Sequence, residues 1–298
     1  MKAVNIKGSM VAMVTPFSAQ ADTIDEKKLT ELVNWHIEQG TDGIVPCGTT
    51  GESPTLSFQE HERVIEIVIS AARGKIPVIA GTGSNSTKEA ITLTQKAQKA
   101  GANASLQVTP YYNKPTQEGL YQHFKAVADS VDIPIILYNI VGRTARNIEP
   151  ETIARLCETC SNIIGVKEAS GSLEQMERTK AICPKDFLLI SGDDSLTLPL
   201  LSIGGVGVIS VAANIVPTEV KNLCESFSKG DIEEARKLHY RLLPLIKALF
   251  IETNPIPVKT AMGILGMCEP SLRLPMCSMD LKNLEVLKQA LKEHGLTK

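Results

Sequence analysis

The chain has 298 residues, of which 43% are apolar and 21% charged, and its formal net charge at pH 7 is −2. This composition is typical of a globular protein with a full core, and 31 basic against 33 acidic residues give no basic excess for binding nucleic acid. Residues 1–10 lack the apolar stretch of a secretory signal, and no run approaches the roughly 18 apolar residues of a membrane span. We therefore expect a cytoplasmic protein that binds neither membranes nor nucleic acid.

Short runs rich in β-branched residues predict strands, and longer amphipathic patterns between them predict helices. The predicted strands cover residues 10–15, 43–47, 77–82, 105–110, 133–139, 163–170, 187–193 and 207–212. The predicted helices between them cover residues 26–39, 58–72, 87–100, 117–130, 150–160, 173–182 and 195–203. Beyond Val216 only helices are predicted, over residues 219–227, 232–250, 257–265 and 282–294.

The regular alternation of strand and helix predicts right-handed crossovers and a parallel sheet. Eight such units are the number that closes a (β/α)8 TIM barrel. A doubly wound open sheet is the alternative, although no GxGxxG motif follows the first strand. We predict an α/β barrel with the catalytic site in residues 1–225 and a C-terminal helical region, 226–298, packed on it as one compact unit.

One pair among the seven cysteines, Cys157 and Cys160, has the C-x-x-C spacing. The helical pattern ends at Thr159 and no second pair follows at metal-site spacing, so neither a zinc site nor a thioredoxin motif is indicated. Free thiols in a reducing cytosol are the expected state. We predict no metal and no cofactor.

Lys167 lies inside the apolar run that predicts the sixth strand. Burying an ammonium is costly, and a buried lysine that is not paired favours the neutral amine, which is the nucleophile that condenses with ketones. The alternative is a lysine whose stem packs while its head reaches water. Because side chains alternate along a strand, Lys167 would share the barrel interior with Gly165 and Ala169, while Val166 and Glu168 face the helices.

Polar side chains follow several predicted strands at their C-terminal ends, where barrel active sites form. A tyrosine such as Tyr138 can shuttle protons beside a nucleophilic lysine. Thr49 and Thr50, on a glycine-flanked turn, suit carboxylate binding or proton relay, and the planar fork of Arg143 suits a second carboxylate. Each group alone also fits a structural role such as a helix cap, but together on one rim they favour an active site.

Segments spread over nearly the whole chain resemble the dihydrodipicolinate synthase family of the pyruvate-dependent class I aldolase superfamily. They are residues 48–52, 108–115, 137–144, 165–169 and 254–259. The resemblance implies the condensation of pyruvate with L-aspartate-4-semialdehyde to 4-hydroxy-tetrahydrodipicolinate, the first committed step toward diaminopimelate and lysine. It also implies a homo-oligomer, with a tetramer built from dimers expected.

The resemblance implies catalytic roles for four residues. Lys167 would form the imine with pyruvate, and Tyr138 would donate and accept protons. Thr49, Tyr138 and Tyr112 would form a proton relay, in which Tyr112 comes from a neighbouring subunit. The site would therefore depend on dimerisation.

Substrate-binding residues follow from the same resemblance. Thr50 and the backbone of Ile209 would contact pyruvate, Gly192 would bind substrate, and Arg143 would receive the carboxylate of the semialdehyde. The family usually has a proline before the Gly-Arg-Thr sequence, whereas this chain has Val141 there. Losing the proline loosens the loop that carries Arg143, so we expect altered affinity for the second substrate rather than lost chemistry.

A second group of residues matches the interface site at which feedback-inhibited family members bind L-lysine. The group consists of Ser53, His61, Asn85, Glu89 and Tyr111. Its glutamate is a natural partner for an ammonium, but Phe58 stands where some inhibited members carry histidine. We expect inhibition by L-lysine to be retained in a weaker form.

Two other functions compete with this interpretation. One is another member of the superfamily, an N-acetylneuraminate lyase or a keto-deoxy sugar-acid aldolase, which would keep Lys167 and Tyr138 without requiring Arg143. The lyase typically has serine where Thr49 stands. The other is a catalytically silent barrel that acts as a binding protein, against which the lysine, the tyrosines and the threonine pair all argue.

Overall fold

The structure, a computed structural model, describes residues 6–298 and contains eight parallel strands that alternate with helices. The strands are β1 Gly8–Ala12, β2 Gly43–Val45, β3 Ile79–Gly81, β4 Ala104–Val108, β5 Ile135–Asn139, β6 Ile163–Glu168, β7 Leu188–Ser191 and β8 Gly207–Ser210. Each predicted strand is present, although most end a few residues earlier than predicted because the polar turns that follow leave the sheet.

Twelve helices are described, of which eight lie between strands and four follow the last strand. The first eight are α1 Glu26–Glu38, α2 Phe58–Ala72, α3 Thr87–Ala100, α4 Gln117–Asp129, α5 Val141–Thr144, α6 Pro150–Thr159, α7 Leu173–Ile182 and α8 Thr197–Ser202. The last four are α9 Pro217–Ser228, α10 Ile232–Leu249, α11 Ile256–Ile264 and α12 Leu281–His294. Across residues 6–298, no helix is both long and apolar enough to cross a membrane.

Many helices begin at a residue whose side chain accepts a hydrogen bond from a backbone N–H of the first turn. Such an N–H group has no acceptor within the helix, so the side chain supplies one. These N-cap residues are Asp25, Ser57, Ser86, Thr116, Ser172, Asp231 and Asp280. Ser57 also forms a reciprocal capping box with Glu60. The helix starts were therefore readable from local sequence.

The sheet closes into a barrel, as predicted. The strand order is β2-β1-β8-β7-β6-β5-β4-β3, with every pairing parallel. A bridge from Ile44 to Val78 and a 3.0 Å hydrogen bond from the Gly81 N–H to the Pro46 carbonyl join β2 to β3. This closure excludes the doubly wound open sheet.

Side chains alternate between the barrel interior and the surrounding helices. Interior side chains include Met10, Val45, Ile79, Leu106, Ile136, Tyr138, Ile190 and Ile209. Val166 faces outward and packs in the layer beneath the helices. The Glu168 carboxylate also faces outward, where the Gln175 side chain of α7 donates to it at 2.9 Å. The predicted orientation of β6, with Lys167 on the interior face, is confirmed.

The loop expected to carry Arg143 is instead a short helix, α5, which begins directly after β5. The amides of Thr144 and Ala145 donate to the carbonyls of Ile140 and Val141, at 3.1 and 2.9 Å. Four residues are too few to show a helical repeat of apolar positions, so no pattern could reveal this element. The predicted boundary between residues 225 and 226 falls within α9, and the division into two regions stays a prediction.

A buried ion pair attaches the C-terminal helices to the barrel. Lys259 Nζ on α11 lies 2.7 Å from Glu52 Oε1, and the exposed fractions of the two side chains are 0% and 2%. The other Glu52 oxygen accepts the Arg273 N–H at 3.2 Å, and Lys259 Nζ lies 4.1 Å from the centre of the Phe17 ring. Burial lowers the pKa of Lys259 and the Glu52 charge opposes this effect. Separating the two side chains would leave each charge buried without a counter-ion, so the pair holds α11 against the turn after β2.

We expect Lys259→Met to lower the free energy of unfolding by about 3–5 kcal/mol, because it leaves the Glu52 carboxylate buried without a cation. Denaturant unfolding followed by circular dichroism measures this change. The double variant Lys259→Met/Glu52→Gln removes both charges and should recover part of the loss. A single variant as stable as the parent would contradict the assigned role of the pair.

Candidate active site

Lys167 and Tyr138 lie side by side on neighbouring strands. They are register partners across β5 and β6, and their exposed fractions are only 6% and 5%. Lys167 Nζ lies 4.3 Å from the centre of the Tyr138 ring, in a cation–π contact. Within residues 6–298, no carboxylate is close enough to form an ion pair with Lys167. Lys167 therefore combines burial with an aromatic neighbour and has no ion-pair partner among the residues that the structure describes.

Two aspartates follow β7 near Lys167, and they differ in their partners. Asp194 is fully buried and accepts hydrogen bonds from the Ser210 hydroxyl and the Val211 amide, so it holds the end of β8. Asp193 is half-buried; burial raises its pKa and the positive charge of Lys167 opposes this effect. No cluster of three or more potential metal ligands occurs among the residues that the structure describes.

The turn after β2 presents two threonines. It is closed by a hydrogen bond from the Gly51 N–H to the Gly48 carbonyl at 3.1 Å, and the Thr15 hydroxyl donates to the Gly51 carbonyl at 2.7 Å. A Cβ on Gly51 would lie 3.1 Å from the backbone of both Cys47 and Met13, so glycine permits this close packing. Thr49 is half-exposed and Thr50 is buried, so the two hydroxyls have different environments.

Arg143, Thr49 and Tyr138 line one cavity of about 220 Å³ at the C-terminal rim of the barrel. The Arg143 guanidinium also donates to the backbone carbonyl of Asn254 at 2.8 Å, which ties α5 to the C-terminal region. The cavity thus combines a guanidinium, a hydroxyl and the phenol that covers Lys167. A cavity of this size, with a few convergent polar groups, fits small carboxylic acids.

Two of the predicted substrate contacts, Gly192 and Ile209, lie beside Lys167 and in the barrel interior, respectively. A Cβ on Gly192 would lie 3.1 Å from Lys167 Cε and 2.6 Å from the Ala169 side chain, so only glycine fits next to the lysine. The Ile209 side chain is fully buried in the interior layer and pairs in register with Met10. A substrate contact from Ile209 would therefore have to come from its backbone.

Within one chain, Tyr112 lies apart from the other catalytic candidates. Its side chain is 90% exposed, and its backbone is left-handed with φ of +70°. It does not line the cavity, and across residues 6–298 no hydrogen bond joins the hydroxyls of Thr49, Tyr138 and Tyr112. The predicted relay is incomplete in the single chain, which leaves Tyr112 free to contact a second subunit.

Comparison with known proteins identifies the family. The model of the Dihydrodipicolinate synthetase family matches residues 5–294. The chain belongs to this family. A 4-hydroxy-tetrahydrodipicolinate synthase from Endomicrobium trichonymphae is 59% identical over 98% of this chain and 99% of its own length.

Solved structures of family members superimpose closely on the chain. The dihydrodipicolinate synthase from Aquifex aeolicus gives a TM-score of 0.96 at 50% identity, covering 98% of this chain and 99% of that chain. The enzyme from Cyanidioschyzon merolae, solved with lysine bound, gives 0.96 at 44% identity and covers 99% of this chain and 100% of that one. The barrel and its C-terminal helices are thus the fold of the family.

Two of the five residues expected to bind lysine, Ser53 and Tyr111, line the same cavity. Burial, together with the charge of Glu89, raises the pKa of Tyr111. The His61 ring is buried and contacts the Gly81 carbonyl at 2.7 Å, and the Asn85 backbone carbonyl accepts from a side chain at 2.8 Å. Glu89 itself accepts a hydrogen bond from the Ser84 hydroxyl, also at 2.8 Å.

Sequence reasoning assigned no role to Asn254, yet this residue contacts two of the substrate-binding candidates. Its amide Nδ2 donates to the Thr50 hydroxyl oxygen at 3.0 Å, and its backbone carbonyl accepts from Arg143. Asn254 is 204 residues from Thr50 and 111 from Arg143 along the chain. The only signal in the sequence was that residues 254–259 resemble the family, although they lie in a helical tail.

Proposed function

We propose that Lys167 carries out the condensation of pyruvate with L-aspartate-4-semialdehyde to 4-hydroxy-tetrahydrodipicolinate, through an imine with pyruvate. The observation that supports this most directly is the buried Lys167, without an ion-pair partner in residues 6–298, against Tyr138, which lines a cavity together with Thr49 and Arg143. The reaction is the first committed step toward diaminopimelate and lysine, and the protein is a lyase.

The chemistry balances without any oxidant or cofactor. Lys167 Nζ adds to the keto carbon of pyruvate and water leaves, which gives the imine; loss of a methyl proton then gives the enamine. The enamine carbon attacks the aldehyde carbon of the second substrate to form the new C–C bond. The amino group of that substrate then attacks the imine carbon and releases Lys167, so that one water is lost overall.

Proton transfers in these steps fall to Tyr138, because its ring lies against Lys167 Nζ and its side chain lines the cavity. Thr49 lines the same cavity and passes the proton onward. Tyr112 of a neighbouring subunit completes the relay, and its exposure in the single chain is what such a role needs.

The two substrates carry carboxylates, and two groups of the site receive them. Thr50, with Gly192 and the Ile209 backbone, holds pyruvate next to Lys167. Arg143, which lines the cavity, receives the semialdehyde carboxylate. Since α5 has Val141 in place of the usual proline, the position of Arg143 depends on the helix and on its bond to Asn254.

Reduction with borohydride in the presence of pyruvate should add a covalent adduct to Lys167, measurable by mass spectrometry. Lys167→Ala should lose both the adduct and the activity because no imine can form. Lys185→Ala, which removes an exposed surface lysine, serves as the control and should trap normally. A wild-type protein without an adduct would indicate a silent barrel, and turnover of N-acetylmannosamine instead of the semialdehyde would indicate a lyase of the neighbouring family.

Arg143→Ala should raise the KM for aspartate semialdehyde by about 10- to 100-fold, the loss expected for charge-assisted hydrogen bonds to a carboxylate. The KM for pyruvate should change little because Thr50 is retained. Steady-state kinetics with each substrate varied separately measures both constants. A normal semialdehyde KM in this variant would refute the assignment of Arg143.

The assembly we propose is a tetramer built from dimers, in which the dimer contact completes each active site through Tyr112. Tyr111 and Tyr112 are both exposed and Tyr111 lines the cavity, which supports a contact at this face. Location in the cytoplasm and the division at residue 226 stay predictions. Sedimentation velocity measures the assembly directly.

We also propose that L-lysine inhibits the enzyme by binding at this dimer contact. The lysine-bound relative from Cyanidioschyzon merolae supports this, as does a carboxylate, Glu89, near Tyr111. Phe58, whose side chain is exposed, stands where some inhibited members carry a polar residue, so L-lysine should bind more weakly.

Titration of activity with L-lysine should show inhibition at millimolar levels or below, and Glu89→Gln should raise the half-inhibitory concentration by roughly tenfold because it removes the charge that faces the ammonium. The exposed surface glutamate variant Glu174→Gln serves as the matched control. Activity that does not respond to millimolar L-lysine would exclude the inhibitory site.

A further inference from the structure

Asn254 connects the two carboxylate-binding groups of the site. It lies between α10 and α11, with an exposed fraction of 5%. Its Nδ2 lies 3.0 Å from Thr50 Oγ1, and its carbonyl oxygen lies 2.8 Å from an Arg143 nitrogen. One residue from the C-terminal region thus touches the group assigned to each substrate.

The direction of the hydrogen bond between Asn254 and Thr50 determines whether the Thr50 hydroxyl proton is free to be donated. An amide nitrogen only donates, so Thr50 Oγ1 is the acceptor in this bond. A hydroxyl carries one proton, and Thr50 Oγ1 has no other hydrogen-bond partner in residues 6–298. The Thr50 proton therefore remains free to be donated to a ligand. A carboxylate only accepts, so it is the partner that this arrangement suits.

The buried ion pair fixes the position of Asn254 relative to Thr50. Glu52 lies two residues after Thr50 and pairs with Lys259, which lies five residues after Asn254. Both members of the pair are buried, so separating them costs several kcal/mol in a typical protein. The segment that carries Asn254 and the turn that carries Thr50 are therefore held together independently of the bond between these two residues.

We propose that Asn254 is a positioning residue that directs the Thr50 hydroxyl proton toward the pyruvate carboxylate and, through its carbonyl, places Arg143 for the second substrate. The inference rests on the role proposed above for Thr50. Asn254 itself does not touch the reacting atoms. It acts by removing the alternative orientations of a hydroxyl that would otherwise rotate.

The first test is Asn254→Ala, which removes the donor and keeps the backbone carbonyl. The pyruvate KM should rise roughly five- to tenfold, which corresponds to one net hydrogen bond. The kcat at saturating pyruvate should stay within about threefold and so should the semialdehyde KM, because the carbonyl that accepts from Arg143 is retained. Thermal unfolding of the variant shows whether the fold is kept.

A double-mutant cycle with Thr50→Val separates positioning from general structural support. If Asn254 acts through the Thr50 hydroxyl, Asn254→Ala should cause no further rise in pyruvate KM when Thr50 is already valine. A structural effect of the same substitution would instead persist in the Thr50→Val background. Additive changes in the cycle would overturn the proposal.

Asn254→Asp gives a second, nearly isosteric variant. Its carboxylate cannot donate and would accept the Thr50 proton, so the pyruvate KM should rise more than in Asn254→Ala. A pyruvate KM that is unchanged in both Asn254 variants, while Thr50→Val raises it, would overturn the inference on Asn254 alone. An unchanged pyruvate KM in Thr50→Val would instead show that the role proposed for Thr50 is wrong.

Discussion

Closure of the barrel between β2 and β3 is the constraint on which the active site depends. The Gly81 N–H donates to the Pro46 carbonyl at this seam, and a Cβ on Gly81 would lie only 2.4 Å from the Cys47 carbonyl oxygen. Only a residue without a side chain lets the strands approach this closely. Closure brings the threonine turn after β2 to the same rim as the ends of β5 and β6. Without it, Thr49 and Lys167 would lie at distant points of an open sheet.

Two buried lysines in this chain show how environment decides the role of one side chain. Lys259 has its carboxylate at 2.7 Å, so its charge is satisfied and it serves as an anchor. Lys167 is almost as well buried, but within residues 6–298 no carboxylate forms an ion pair with it, and its Nζ lies over the face of the Tyr138 ring. This difference in partners is what the imine-forming role proposed for Lys167 requires. Glu52, the partner of the anchoring Lys259, follows directly on the turn that carries Thr49 and Thr50.

Much of the fold and part of the site could be predicted from sequence because the signals were local. The strands, the longer helices and the inward direction of Lys167 follow from periodicity, which each segment carries by itself. Helix α5 was missed because four residues contain no period, and so Arg143 was expected on a loop. The contact between Asn254 and Thr50 spans 204 residues, and no local pattern records a hydrogen bond of that kind.

The sequence by itself determined the alternation of strands and helices, the number of units and the set of polar groups at the strand ends. Hydrophobic periodicity and strand direction are properties of short segments, so these features can be predicted from each segment without the tertiary structure. Tertiary structure alone decided that Lys167 has no ion-pair partner within residues 6–298, that Lys259 is paired, and that Asn254 contacts both Thr50 and Arg143. Pairing of a buried charge depends on which distant segments meet, and that is settled only when the barrel closes and the C-terminal helices pack on it.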